Sequence, residues 1–136
     1  FLGWSEKDNK ICHILELVTG GDLYGLMRAN KWMGIGETKT KEIMVQIAEG
    51  MEYLHSKSVM HLDIKAENIL LEADGKSIRI CDFGFAKVFE PGKLYTEFLG
   101  TIYYLSPEMI AQCYNWRTDI WSLGVLYFEL VTGKLP

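Results

Sequence analysis

Residues 116–132 (WRTDIWSLGVLYFELVT) constrain the fold more than any other stretch of the chain. They read as a helix that is apolar nearly all round, and a helix of that kind needs other elements packed about it. It is therefore expected to be central. The longest apolar run inside it, from Leu123 to Val131, is interrupted by Glu129 and is too short to span a bilayer. No signal peptide opens the chain, since its first residues run straight into Glu6 and Lys7.

The remaining 119 residues must supply that surrounding structure, and their composition allows it. Of 136 residues, 49% are hydrophobic and 24% charged, which is ordinary for a globular domain. The net charge of -4 gives no basic footprint for nucleic acid. Cys12, Cys81 and Cys113 lie far apart with no CxxC pair, so neither a disulfide framework nor a zinc site is expected. An intracellular, cytoplasmic or nuclear, setting is the simplest reading of that cysteine usage.

Along the chain, residues 10–18 (KICHILELV) read as a buried strand that breaks at Gly20-Gly21 into a linker. A short helix over 22–29 follows, with Asp22 as its N-cap, and 33–36 form a turn. Residues 37–56 give the clearest helical period: Ile43, Ile47, Met51 and Leu54 form a stripe, widened by Met44, Ala48 and His55. Val59-Met60 and Ile69-Leu70-Leu71 are short strands around the polar segment 61–68. Asp74-Gly75 signals a hairpin leading into a strand over 77–81. Residues 83–105 are long and irregular, and connections of that length are usually functional.

The polar segment carries the chemistry. His61-Leu62-Asp63-Ile64-Lys65-Ala66-Glu67-Asn68 puts an acid, a base and an amide on one loop, and Asp82-Phe83-Gly84 follows the next strand. Ser106-Pro107-Glu108 and Asp119-Ile120-Trp121-Ser122-Leu123-Gly124 come later in the same order. One such aspartate or asparagine alone is usually a turn former or a cap. Together the four segments resemble the protein kinase family, whose loops read H-R-D-x-K-x-x-N and D-F-G, followed by A-P-E and a D-x-W-S-x-G helix.

The resemblance implies an α+β, protein-kinase-like fold: a mostly helical C-lobe with the last N-lobe strands, a hinge and a small β-hairpin. It divides the chain into the end of the N-lobe (1–15), hinge and linker (16–21) and C-lobe through the central helix (22–136). It implies ATP and Mg²⁺ as cofactors and a protein substrate, with no nucleic acid and no membrane span. Catalytic roles fall on Asp63, which would orient the substrate hydroxyl and accept its proton, and on Lys65, which would offset phosphoryl charge. Asn68 and Asp82 would ligate magnesium through oxygen, and the Thr101 hydroxyl would bridge Asp63 and Lys65. Lys65, and Thr101 after Gly100, fit the serine/threonine type.

For ATP, the resemblance places Leu15 as gatekeeper and Glu16 to Val18 as hinge. The Glu16 carbonyl and the Val18 N–H and carbonyl would read adenine, with Leu70 as the floor and Asp22 near the ribose. Asp22 and Glu67 would attract basic residues before the phosphorylated serine or threonine.

Two departures stand out. Leu62 occupies the arginine position of the catalytic loop, where family members often pair with a phosphate on the activation loop. Glu97 stands where loop-phosphorylated relatives carry phosphothreonine, so it is expected to supply a permanent charge, paired with Lys87; a solvated glutamate fits equally. The glycine-rich loop and the ATP-positioning lysine of the family are not in these residues. Both chain ends are expected to be cut, and Glu108 is expected to be buried without its usual arginine partner. This piece alone is thus expected to be poorly stable and inactive. A non-catalytic pseudokinase or scaffold is the main rival reading. A small-molecule kinase is the other, and 106–108 argue against it.

Overall fold

A computed structural model describes residues 1–136. The chain opens with an antiparallel hairpin of β1 (Gly3–Lys7) and β2 (Lys10–Ile14), paired from Gly3↔Ile14 to Lys7↔Lys10. Asp8 and Asn9 form its turn at φ 52° and 57°, the left-handed pair that a tight two-residue hairpin turn requires. The expected buried strand over 10–18 is thus corrected in two ways. The strand ends at Ile14, and every residue of β2 is exposed, because this two-stranded sheet packs on no other layer of the chain.

After an extended stretch, α1 (Leu23–Ala29) starts at Asp22, whose Oδ1 accepts the Gly25 N–H at 2.6 Å. The long helix α2 (Glu37–Ser56) has the predicted bounds and buries Ile43, Ile47 and Met51. Its stripe differs at one place: Ala48 faces solvent and Thr40 is buried instead. The Thr40 hydroxyl donates to the Gly36 carbonyl at 2.9 Å, which removes the cost of burying it.

Two further ribbons follow, β3 (Val59–Met60) with β6 (Lys87–Val88) and β4 (Ile69–Leu71) with β5 (Ile78–Ile80). The expected turn joins β4 to β5, where Asp74 accepts both the Lys76 and Ser77 N–H groups at 2.8 Å. These bonds hold its carboxyl down to about 2. The irregular segment 83–105 contains β6 and a single 3₁₀ turn, Ile102–Tyr104. Ser106 then caps α3 (Pro107–Ile110), and α4 (Thr118–Thr132) closes the fold.

One large apolar cluster joins α1, α2, the β4–β5 hairpin and α4 through Met27, Ile47, Met51, Ile69, Leu126 and Leu130. A smaller one contains Met60, Leu62, Phe89, Leu105, Met109 and Tyr114. Helix α4 is buried on one face only: Ile120, Trp121, Tyr127 and Phe128 are exposed. The expectation of a central helix holds for that face alone. Its buried face carries Asp119, Ser122 and Glu129. Gly133 ends it at φ 74°, where a Cβ would come within 2.0 Å of the Trp32 carbonyl oxygen, so only glycine fits. No helix is long and apolar enough to cross a membrane, and all three cysteines are free.

Candidate active site

The loop after β3 is held from below by one carboxylate. Asp119, 1% exposed at the start of α4, accepts the His61 N–H on Oδ2 and the Leu62 N–H on Oδ1, each at 2.9 Å. His55 Nε2 stands 2.9 Å from the same Oδ2. Leu62 is bent into the left-handed region at φ 68°, a strained geometry for a leucine that the smaller cluster and Asp119 hold in place. The His61 ring is fully buried: Nε2 bonds the Cys81 carbonyl at 3.1 Å and Nδ1 accepts the Asp63 N–H at 3.2 Å. Burial holds its pKa below 6.5, against the pull of Asp119.

Asp63 therefore enters a fixed backbone position, with Ile64 and Ala66 on either side of Lys65 anchored in the main core. Three side chains converge on its carboxylate. Thr101 Oγ1 donates to Oδ1 at 2.6 Å. Lys65 Nζ lies 2.7 Å from Oδ2 and donates to Thr101 Oγ1 at 2.9 Å. Asn68 Nδ2 donates to Oδ2 at 3.0 Å and to the Asp63 carbonyl at 2.8 Å. Burial alone would raise the Asp63 carboxyl, but the bonds from Lys65, Thr101 and Asn68 outweigh it and hold the pKa below 3.8. The group is a carboxylate at neutral pH.

Residue 100 must be glycine for this to happen. Gly100 has φ 95°, and a Cβ there would lie 2.4 Å from the Leu62 carbonyl oxygen. Segment 83–105 thus lies against the 61–68 loop where Thr101 meets Asp63.

Asn68 spends its amide N–H groups on Asp63, which leaves Oδ1 free. Asp82, exposed and at φ 61°, uses Oδ1 to accept the Gly84 N–H at 3.2 Å. The Cys81 N–H donates to the Asn68 carbonyl at 2.9 Å, which brings the two segments side by side. One amide and one carboxylate oxygen suit a hard cation that takes its other ligands from phosphate and water. No group of three or more His, Cys, Asp or Glu side chains converges in the chain, so the protein alone would not enclose a metal. These residues fit magnesium held jointly with a phosphate chain.

The linker is zipped to β4 by Gly20 N–H to the Leu71 carbonyl (2.9 Å) and Leu71 N–H to the Gly21 carbonyl (2.8 Å). This sets Asp22 opposite Leu70 in an isolated bridge. Cys81 lies close by, its thiol raised by burial and by Asp82 and Asp22. Leu15 and Glu16 are exposed, Val18 is half-buried, and residues 15–19 make no backbone hydrogen bonds. The structure does not bring these residues into bonded contact with the 61–68 loop. Glu67 is exposed beside it.

Two residues of the site had no role assigned from sequence. Asp119 lay within a motif but its three donors are distant in the chain. Glu129, 5% exposed, accepts the hydroxyl of Tyr104 and shares the field of Glu67. Its signal was a lone acid inside an apolar run. Burial raises its carboxyl, the Tyr104 bond lowers it, and Glu67 raises it further. Glu108, by contrast, is exposed, so the expected burial of an unpaired charge does not occur: it lies on the open side of α3. It lines a groove of about 810 Å³ with Trp116, Ile120 and Trp121, away from Asp63.

All 136 residues match the model of the protein kinase domain. The chain belongs to the protein kinase family. It is 40% identical over 135 residues to a probable serine/threonine-protein kinase MARK-B of Dictyostelium discoideum, covering 98% of this chain and 18% of that protein. Aurora kinase C of Mus musculus is 42% identical over 131 residues, covering 95% and 46%. Serine/threonine-protein kinase ATG1b of Arabidopsis thaliana is 36% identical over 139 residues, covering 100% and 19%. The chain thus spans less than half the length of these kinases. Residues 61–68 and Asp82-Phe83-Gly84 stand at the family's H-R-D-x-K-x-x-N and D-F-G motifs.

Proposed function

We propose that this chain is part of a protein serine/threonine kinase, which moves the terminal phosphoryl group of ATP to a protein hydroxyl. The observation that carries the reading is the contact of Asp63 with both neighbouring Lys65 and Thr101, the latter 38 positions away. Asp63 Oδ1 keeps one lone pair beyond its bond to Thr101, and there it accepts the hydrogen bond of the incoming hydroxyl and then its proton. Lys65 Nζ, beside it, offsets negative charge on the transferring group. Asn68 Oδ1 and Asp82 would hold magnesium, which would offset charge on the phosphates of ATP.

The division into 1–15, 16–21 and 22–136 follows. The free backbone groups of Glu16 and Val18 read adenine, between Leu15 and Leu70. Asp22 has one oxygen on the Gly25 N–H, which leaves the other for a ribose or a basic side chain. Glu67, with Glu129 behind it, favours a substrate with basic residues before the phosphorylated serine or threonine. Three free cysteines fit an intracellular setting.

The test is ATP-dependent phosphorylation of a basic serine/threonine peptide by the full-length protein, beside its Asp63→Asn variant and this chain alone. Activity of the full-length protein, lost in the variant and absent from the chain alone, supports the reading. An inactive full-length protein, on that peptide and on broad substrate mixtures, would favour a pseudokinase.

A further inference from the structure

The turn between α1 and α2 is held in a strained form. Lys31 and Trp32, consecutive and neither of them glycine, both take the left-handed region, at φ 55° and 59°. That conformation is rare for bulky side chains and persists only where the surroundings impose it. Here they do. The Lys31 N–H donates to the Arg28 carbonyl and the Trp32 N–H to the Met27 carbonyl, each at 3.0 Å. Asn30 Nδ2 donates to the Gly34 carbonyl at 2.6 Å, and the Ile35 N–H to the Leu130 carbonyl at 2.9 Å. The turn also lies hard against the end of α4: a Cβ on Gly34 would come within 2.2 Å of the Val131 carbonyl oxygen.

This fastened turn presents large apolar side chains to water. Met33 is 80% exposed. Trp32, also exposed, meets Tyr24 of α1 edge-on with ring centroids 5.0 Å apart. An adaptable methionine beside two rigid aromatic rings is the kind of surface that protein interfaces enrich.

The charge about it has one sign. Arg28, Lys31 and Lys134, the last next to the Gly133 that packs on Trp32, are exposed and make no ion pair. The one carboxylate among residues 23–39 is Glu37, which is already paired with Lys41 at 2.7 Å, and residues 130–136 have none. In a chain of net charge -4, this end is locally cationic. Its complement is an apolar side chain set among carboxylates. A broad anionic bilayer would also meet the net negative remainder of the chain, whereas a short segment meets this patch alone.

We propose that Tyr24, Trp32 and Met33, flanked by Arg28, Lys31 and Lys134, form a docking surface for a short acidic segment of a partner protein, anchored by an apolar side chain. The strained turn holds the surface ready, so little ordering is needed on binding. It lies at the other end of α1 from Asp22, about 10 Å along the helix, and is separate from the Asp63 site. The inference stands apart from the phosphoryl-transfer reading.

The experiment uses the full-length protein and a fluorescein-labelled pool of dodecapeptides, each with several glutamates around one leucine or phenylalanine. Members of the pool should bind in fluorescence polarisation, and about 0.5 M salt should weaken them severalfold. Met33→Ser, and Arg28→Glu with Lys31→Glu, should each lower affinity about tenfold or more. The thermal midpoints of these variants should match that of the parent protein. A basic serine peptide should not displace the bound members. In hydroxyl-radical footprinting Met33 should be reactive, and an added binding peptide should protect it. A pool without binders would overturn the proposal, as would binders that the substitutions leave unaffected or that the basic peptide displaces. Met33 protected before any peptide is added would show that the rest of the chain covers this surface, which overturns it as well. Binding to phosphatidylserine vesicles that the substitutions abolish, with no peptide bound, would make it a lipid surface instead. None of these readouts depends on phosphoryl transfer.

Discussion

Thr101 Oγ1 donates a 2.6 Å hydrogen bond to Asp63 Oδ1 while accepting one from Lys65. This single hydroxyl therefore joins the acid and the base of the site, and it comes from a segment that is otherwise irregular. The bond sets the orientation of the carboxylate plane, and so the lone pair left for a substrate.

Removing the hydroxyl should cost catalysis without unfolding the protein. A hydrogen bond to a charged group is worth about 1.5–3 kcal/mol, which corresponds to roughly 10–100-fold in rate. Thr101→Val in the full-length protein is expected to lower kcat by that order, and Thr101→Ser to retain most of it. Steady-state kinetics on a peptide would check this; equal losses in both variants would show that the methyl group, not the hydroxyl, matters.

Asp119 should matter to stability first. Its carboxylate satisfies the buried His61 and Leu62 N–H groups and faces His55. Asp119→Ala orphans these donors at about 1–3 kcal/mol for each buried group left without a partner. Against a typical total of about 5–15 kcal/mol, the variant should show a clearly lowered urea midpoint. A near-normal midpoint with lost activity would mean that Asp119 positions the loop without holding the fold.

The buried His61 gives a pH dependence with a defined sign. Its folded pKa lies below 6.5, because burial disfavours the imidazolium. The unfolded chain then binds more protons than the native state as pH falls below 6.5, so stability should decline with acidification from that point. The neutral ring also accepts the Asp63 N–H, a bond that protonation of Nδ1 would remove. Denaturant midpoints between pH 7.5 and 5.5 should fall toward the acid end, and less so in a His61→Phe variant. A flat profile in the wild type would contradict the assignment.

Much of this was legible in the sequence where a signal is local. Helix α2 was bounded correctly because its period is long and strong, and the closeness of Asp63, Lys65 and Asn68 follows from their sharing one loop. Ala48 was misplaced and Thr40 missed because a hydroxyl with a partner at i−4 can be buried where a methyl is not needed. The β1–β2 hairpin was unread since its turn is Asp8-Asn9, without glycine, and β6 has only two residues. Asp119 and Glu129 escaped because their partners are 58 and 25 positions away, contacts that no periodicity encodes. Apolar composition marks α4 as central but does not say which of its faces has neighbours.

The Lys87–Glu97 pair sets the last expectation. It links β6, which runs beside β3 and so beside the start of the catalytic loop, to a residue close before Gly100. Glu97 is expected to supply this segment with a permanent negative charge. Because the pair is half open to solvent, its contribution should stay below about 1 kcal/mol, or roughly a fewfold in kcat. Glu97→Gln and Lys87→Met should each lower activity by that amount, the double variant by no more than either, and rising salt should shrink the difference. The charge and its partner would then act as one unit. If Glu97→Gln proved silent while a phosphate on Tyr95 or Thr96 were required, the permanent charge would have no role, and the segment would be held by modification instead.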